Sequence, residues 1–138
     1  VKCDSIFNFT CPHVTILILG ENDMSFLPLT SKGCVGYVNV KMGDAMKFGR
    51  NTDLSRFGAN MYQWQEVEVK VSQKLAIILI NGEQILELPF QRDIGNIVGF
   101  NFNFTGAGSI DYVTLMDQTG TKAYSTGFGS GSVEPLLR

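Results

Sequence analysis

Trp64-Gln-Glu66-Val67-Glu68-Val69-Lys70-Val71, followed by Lys74-Leu-Ala-Ile-Ile-Leu-Ile-Asn81-Gly82-Glu-Gln-Ile-Leu-Glu-Leu88, is the stretch that decides the fold. Val67, Val69 and Val71 alternate with Glu66, Glu68 and Lys70, the two-residue period of a strand with one buried and one wet face. The next two apolar runs are joined by Asn81-Gly82, the pair that most readily takes the positive φ angles of a type I′ hairpin turn. Beyond Pro89, residues Ile94 to Phe104 set Val98, Phe100, Phe102 and Phe104 on one face and Gly99, Asn101 and Asn103 on the other. Three phenylalanines on one side of a strand call for a thick apolar core opposite. Gly106 to Gly108 is read as the turn of a further hairpin into Ile110 to Met116.

Working outward, Val14 to Leu19 is a continuous apolar run between Pro12 and Gly20, the pattern of a central strand covered on both faces. Ile6 to Phe9 reads as a short edge strand, and Met24 to Leu29 as another, stopped by Pro28 and the Ser31-Lys32-Gly33 turn. Cys34 to Met42 alternates, with Val38 and Val40 on one face and Tyr37, Asn39 and Lys41 on the other. Gly43 to Tyr62 is the least regular segment. Within it Asn51 to Asp53 caps one helical turn over Leu54 to Phe57, closed by Gly58. Thr119 to Thr126 is a last strand. About ten short strands between Gly, Pro and Asn turns give an all-β, antiparallel two-sheet β-sandwich or jelly roll. Its domain spans 1–126, and 127–138 is read as a flexible tail or linker.

The chain has 138 residues, 44% hydrophobic and 17% charged, with a net charge of −2. That length supports one core without staples, and the charge provides no positive field to gather nucleic acid. No apolar run approaches the roughly 20 residues of a membrane span. A chain opening on Val1 is read as a processed mature protein or a part of a longer one. The three cysteines lack metal-ligand spacing and have only His13 as company, which excludes an ordinary zinc site. In an oxidising compartment Cys11 and Cys34 are the preferred pair, since both flank strands that can be sheet neighbours. Closing that loop contributes about 3 kcal/mol. In a reducing one all three are small hydrophobes.

The order Trp64-x-x-Val67-x-Val69-x-Val71, then Ile80-Asn-Gly82, then Ile94-Gly95-x-Ile97-x-Gly99-x-x-Phe102-x-Phe104-x-Gly106-x-Gly108-x-Ile110-Asp111-x-Val113, resembles the closing half of concanavalin A-like lectin/glucanase domains. It is similar in particular to the laminin-G-like jelly rolls of exported surface proteins of Bacteroidetes. The resemblance covers roughly residues 11 to 118. It implies two antiparallel sheets packed face to face, an extracellular, cell-surface or periplasmic location, and binding of carbohydrate or of a surface protein. Calcium occurs in many such domains. Here the aspartates that could serve it, Asp23, Asp44, Asp53 and Asp93, are scattered singly in turns where Asp is favoured anyway, so no cofactor is called for.

The glucanases of that superfamily carry alternate carboxylates on one strand, and glycoside hydrolysis needs two carboxyls roughly 5 to 9.5 Å apart. Glu66 and Glu68 have the spacing, but Lys70 stands where a third acid would. Glu-Val-Glu-Val-Lys reads first as a solvated strand face. His13, behind Pro12 and with no nucleophile elbow in the sequence, is read as a loop histidine. Asp111 reads as a partly buried acceptor for loop amides, and Trp64 as core or rim packing with Tyr62 a weaker platform. The Asn-Phe-Thr sequons at Asn8 and Asn103 carry no assigned role. A sugar site needs an aromatic platform beside planar hydrogen-bonding groups. Tyr37, Asn39 and Lys41, with Asn101 and Asn103, form such a patch if their strands share a sheet. A lectin-like binding module is therefore the first expectation. A glycoside hydrolase or lyase using Glu66 and Glu68 and a structural spacer are the alternatives.

Overall fold

The structure is a computed structural model that describes residues 1–3, 11–117, 122–127 and 133–134. Ile6 to Phe9, expected as an edge strand, lies outside them. The strands run β1 (Lys2–Cys3), β2 (His13–Gly20), β3 (Met24–Thr30), β4 (Asn39–Met42), β5 (Ala45–Phe48), β6 (Val67–Ser72), β7 (Leu75–Ile80) and β8 (Glu83–Pro89). They continue as β9 (Ile97–Phe104), β10 (Gly108–Ser109), β11 (Tyr112–Met116), β12 (Lys122–Gly127) and β13 (Val133–Glu134). Two short 3₁₀ turns cover Lys32–Tyr37 and Ser55–Phe57. The fold is all-β and its ladders are antiparallel.

A five-stranded sheet has the order β5-β4-β3-β2-β9, and a three-stranded one β6-β7-β8. Their inner faces share one core: Val14, Leu27, Leu29 and Val40 from the first are fully buried, as are Ala76 and Ile78 from the second. Phe57 and Met61, from the irregular connection, close it. Each of these side chains larger than alanine contributes about 1.5–3 kcal/mol by leaving water. The remaining ladders are β11-β12-β13 and β1-β10. Among the described residues no helix is long and apolar enough to cross a membrane.

The Asn81-Gly82 hairpin forms as read, with φ of 52° and 81°. Asn81 also clamps the approach to β6: its Oδ1 accepts from the Glu66 amide at 2.8 Å, and its Nδ2 donates to Gln65 Oε1 at 2.7 Å. The buried Gln65 amide is thereby satisfied, its Nε2 donating to the Asn60 carbonyl at 2.9 Å. Cys11 and Cys34 are joined in a disulfide, and Cys3 is buried and reduced.

Several expectations are corrected. Pro28 does not stop a strand but lies inside β3. The lost amide is tolerated because the β3–β4 ladder is confined to Phe26↔Lys41. Cys34 to Tyr37 belongs to a 3₁₀ turn and not to a strand, so Tyr37 projects 92% exposed instead of sharing a strand face with Asn39. Ala45 to Phe48, read as irregular, is β5, turned back on β4 by Gly43 at φ 59°. The short helical turn over Leu54 to Phe57, by contrast, forms as expected, as 3₁₀ from Ser55, its first amide held by Asp53 Oδ1 at 3.0 Å. The hairpin expected between Phe104 and Ile110 is absent: β9 pairs with β2, β10 with β1, and β11 with β12. Val98 is 65% exposed, because the register slips between Leu19 and Gly20 where it would have joined the phenylalanine face. Inside the segment read as a tail, Val133–Glu134 pairs with β12.

Candidate functional site

Two surfaces have the chemistry of a site. The first is the outer face of the five-stranded sheet. In β2 the even-numbered side chains Val14 and Ile16 point into the core, so Thr15, Leu17 and Leu19 point outward. Residues directly opposite across a ladder share a face. The pairs Asn101↔Leu17, Leu17↔Phe26, Phe26↔Lys41 and Lys41↔Met46 therefore set one row of five side chains across the sheet. Asn101 is exposed at one end, and Leu17 and Phe26 are half-buried in the middle. The adjacent row brings Asn103 beside Thr15, but Pro28, the next residue in it, is fully buried. The open part of the face is thus Asn101 with Leu17 and Phe26, bordered by Asn103 and Thr15 on one side and by Leu19 and Met24 on the other.

The condition set on the amide patch, one sheet for both strands, is met: Asn39 lies on β4, and Asn101 and Asn103 on β9. However, β3 and β2 stand between them, so the two groups are three strand spacings, about 14 Å, apart. Tyr37 stands off the sheet altogether. Lys41 is committed, its Nζ 2.7 Å from both Asp23 Oδ2 and the Met24 carbonyl oxygen. That ammonium, with the Met24 amide, holds the Asp23 carboxyl below the usual range. His13 is not in a loop: it opens β2 on the outer face, Nε2 at 2.8 Å from Thr15 Oγ1, and burial lowers its pKa. The sequence signal for Leu17 was the unbroken apolar run Val14 to Leu19, while Phe26 lies in the next strand, which reads as a short one without a marked face. An outward Leu17 and Leu19 need a cover, and here both are only partly covered.

The second surface is a cleft of about 810 Å³ that opens into the core between β6 and β11. Ile16, Ile18, Phe100 and Phe102 form its floor, so part of the phenylalanine face of β9 borders a partly open space, while Phe102 and Phe104 also pack against the core as expected. Its walls are Val67 and Val69 on one side and Val113 and Leu115 on the other. Glu66, just ahead of β6, and Glu68, within it, stand exposed at the rim, two residues and about 7 Å apart along the chain. Glu66 Oε2 accepts a hydrogen bond from the Tyr112 hydroxyl at 2.6 Å. Trp64 is half exposed at the same rim, with Lys2 Nζ 4.9 Å from its ring centroid, a cation–π contact. Tyr62 is 40% exposed. Asp111, expected to be partly buried in a strand, is exposed and precedes β11.

Each aspartate considered for calcium is engaged separately. Asp44 Oδ1 accepts from the Gln91 and Arg92 amides, Asp53 from Ser55, and Asp93 from Gly95. Among the described residues no three His, Cys, Asp or Glu side chains converge to hold a metal ion. No protein-family model, curated protein or solved structure matches the chain.

Proposed function

We propose that the chain is a non-catalytic binding module of the concanavalin A-like jelly-roll class that holds a carbohydrate on the outer face of its five-stranded sheet. The row Asn101-Leu17-Phe26 carries this reading. A pyranose has an apolar ring face and a hydroxyl rim, and that row puts a flat apolar strip beside the amides of Asn101 and Asn103. Asn39, some 14 Å away, and Tyr37, off the sheet, serve as an outer contact for a longer glycan only. The Cys11–Cys34 disulfide supports export to the cell surface, the medium or the periplasm.

A glycan-array screen of the purified chain, with and without calcium, tests the reading. A specific hit that is recovered intact, and that is lost in Asn101→Ala/Asn103→Ala and in Phe26→Ala, supports it. A hit indifferent to all three substitutions removes this face as the site. No hit leaves a surface-protein partner or a structural spacer role.

The second reading, a glycoside hydrolase or lyase, has in its favour that Glu66 and Glu68 line an open cleft. Against it, the floor behind them is aliphatic and aromatic, where a sugar would lose hydroxyl hydrogen bonds to water without replacement. Cleavage of an array hit that disappears in Glu66→Gln and Glu68→Gln would establish it.

A further inference from the structure

Among the described residues, β6 and β11 are the edges of their ladders, and they face each other across the cleft. The short strand β1 shows how the gap between them can be filled. Just ahead of it Val1 exchanges two hydrogen bonds with Gln65, just ahead of β6: the Val1 α-ammonium donates to the Gln65 carbonyl at 2.8 Å, and the Val1 carbonyl accepts from the Gln65 amide at 2.9 Å. On its other side Lys2 pairs with Ser109 and Cys3 with Gly108, just ahead of β11. So β1 is antiparallel to both neighbours and lies between them. Its line, carried past Val1, runs down the cleft with the edge of β6 on one side and that of β11 on the other.

Three features describe what fits there. Val71 and Met116, at the far end, are about half exposed, apolar surface left uncovered. The floor is aliphatic and aromatic. The lining holds four carboxylates, Glu66, Glu68, Asp93 and Asp111, and no Lys or Arg side chain.

We propose that this cleft receives an extended strand of about six residues from a partner polypeptide, in line with β1, by strand addition to both edges. Its inward side chains are aliphatic, and its outward ones are Lys or Arg beside Glu66 and Glu68 and an uncharged polar residue beside Lys70, as cross-strand charge pairing requires. The sheets β6-β7-β8 and β11-β12-β13 then become one layer opposite the five-stranded sheet.

The probe is a capped Val-Ser-Val-Lys-Val-Lys peptide, its lysines beside Glu66 and Glu68 and its serine beside Lys70, titrated calorimetrically and followed by amide hydrogen exchange. The expected result is saturable binding with slowed exchange in both Val67–Ser72 and Tyr112–Met116. A Glu-Val peptide of the same length, or the Glu66→Lys/Glu68→Lys variant, is expected to bind about tenfold more weakly. The proposal is overturned if neither edge slows, or if the two peptides bind alike. It is equally overturned if both edges are already protected in the protein alone: a strand of its own chain then fills the cleft, or a second copy does where protection grows with concentration.

Discussion

The Tyr112 hydroxyl donates a 2.6 Å hydrogen bond to Glu66 Oε2, spanning the cleft from the first residue of β11 to the residue just ahead of β6, two strands that share no ladder. Because that bond is made to the neutral phenol, and because the carboxylate opposes a phenolate beside it, the Tyr112 pKa is raised, with partial burial adding to the effect. A raised folded pKa means that the contact stabilises below the ordinary tyrosine value, about 10, and is lost as pH rises through the higher one. Replacing Glu66 by Ala should lower the Tyr112 titration midpoint toward that ordinary value, read from the ring carbon shift of labelled tyrosine. An unchanged midpoint would mean that the two side chains do not meet in solution.

The turn from β6 to β7 is built from Gln73 and Lys74 at φ 50° and 63°, a left-handed conformation for two residues that disfavour it. The turn from β7 to β8 takes a similar geometry with Asn81 and Gly82, which favour it. Gln73→Asn/Lys74→Gly should stabilise the protein by about 1 kcal/mol. Thermal melts are expected to show a midpoint higher by roughly 3–5 °C. A lower midpoint would mean that the native side chains make contacts worth more than the backbone strain.

Those two turns show what the sequence could and could not reveal. The Asn81-Gly82 hairpin, the alternation of β6 and the phenylalanine face of β9 were legible because each is local: a turn pair, or a period of two. Gln73-Lys74 carries no turn signal, since sheet pairing on both sides forces that geometry. Strand β5 was missed for a similar reason, its four residues having no pattern apart from their ladder with β4. Pairing was hardest of all to read. The chain leaves β9 through Gly106-Ala107-Gly108 as if to form a hairpin, and only the position of β1 diverts it. Of the candidate surface, the amides of β9 were visible as exposed alternates. Their distance from Asn39 depended on strand order, which no local signal carries. The cleft was invisible for the same reason.

Asp44 ties the β4–β5 turn to the segment after β8, its Oδ1 accepting from the Gln91 and Arg92 amides at 2.9 and 3.1 Å. Those bonds, that from Arg92 foremost, hold its carboxyl below the usual range. With the folded pKa depressed, the stabilisation is present above the unfolded value, about 3.9, and is lost as pH falls through the folded one. Asp44→Asn should therefore melt below the native protein at neutral pH, and the two melting temperatures should converge as the pH is lowered past 3.9. Parallel curves down to the acid limit would assign the acid sensitivity to other carboxylates, Asp23 and Asp53 first, since theirs are lowered too.

Gly108 is the residue on which the diversion after β9 rests. In β10 it pairs with the buried Cys3, and the ring of Phe104 lies flat against the space where a side chain would begin. A Cβ there would overlap Cγ, Cδ1 and Cε1 of that ring, so the whole phenyl group, not its far edge alone, would have to move. Phe104 is half-buried and packs against the core cluster, and moving it opens the end of the β2–β9 ladder at Val14. Gly108→Ala should cost about 1–3 kcal/mol as an overpacking defect. Phe104→Ala alone should cost about 3 kcal/mol or more through lost burial. The pair combined should cost less than the sum, because the smaller side chain at 104 leaves room for the methyl group at 108. Denaturant melts of the two single variants and the double variant measure that coupling. Additive costs would mean that the Phe104 ring does not occupy the space beside Gly108, and β10 would then owe its path to its pairing with β1 alone.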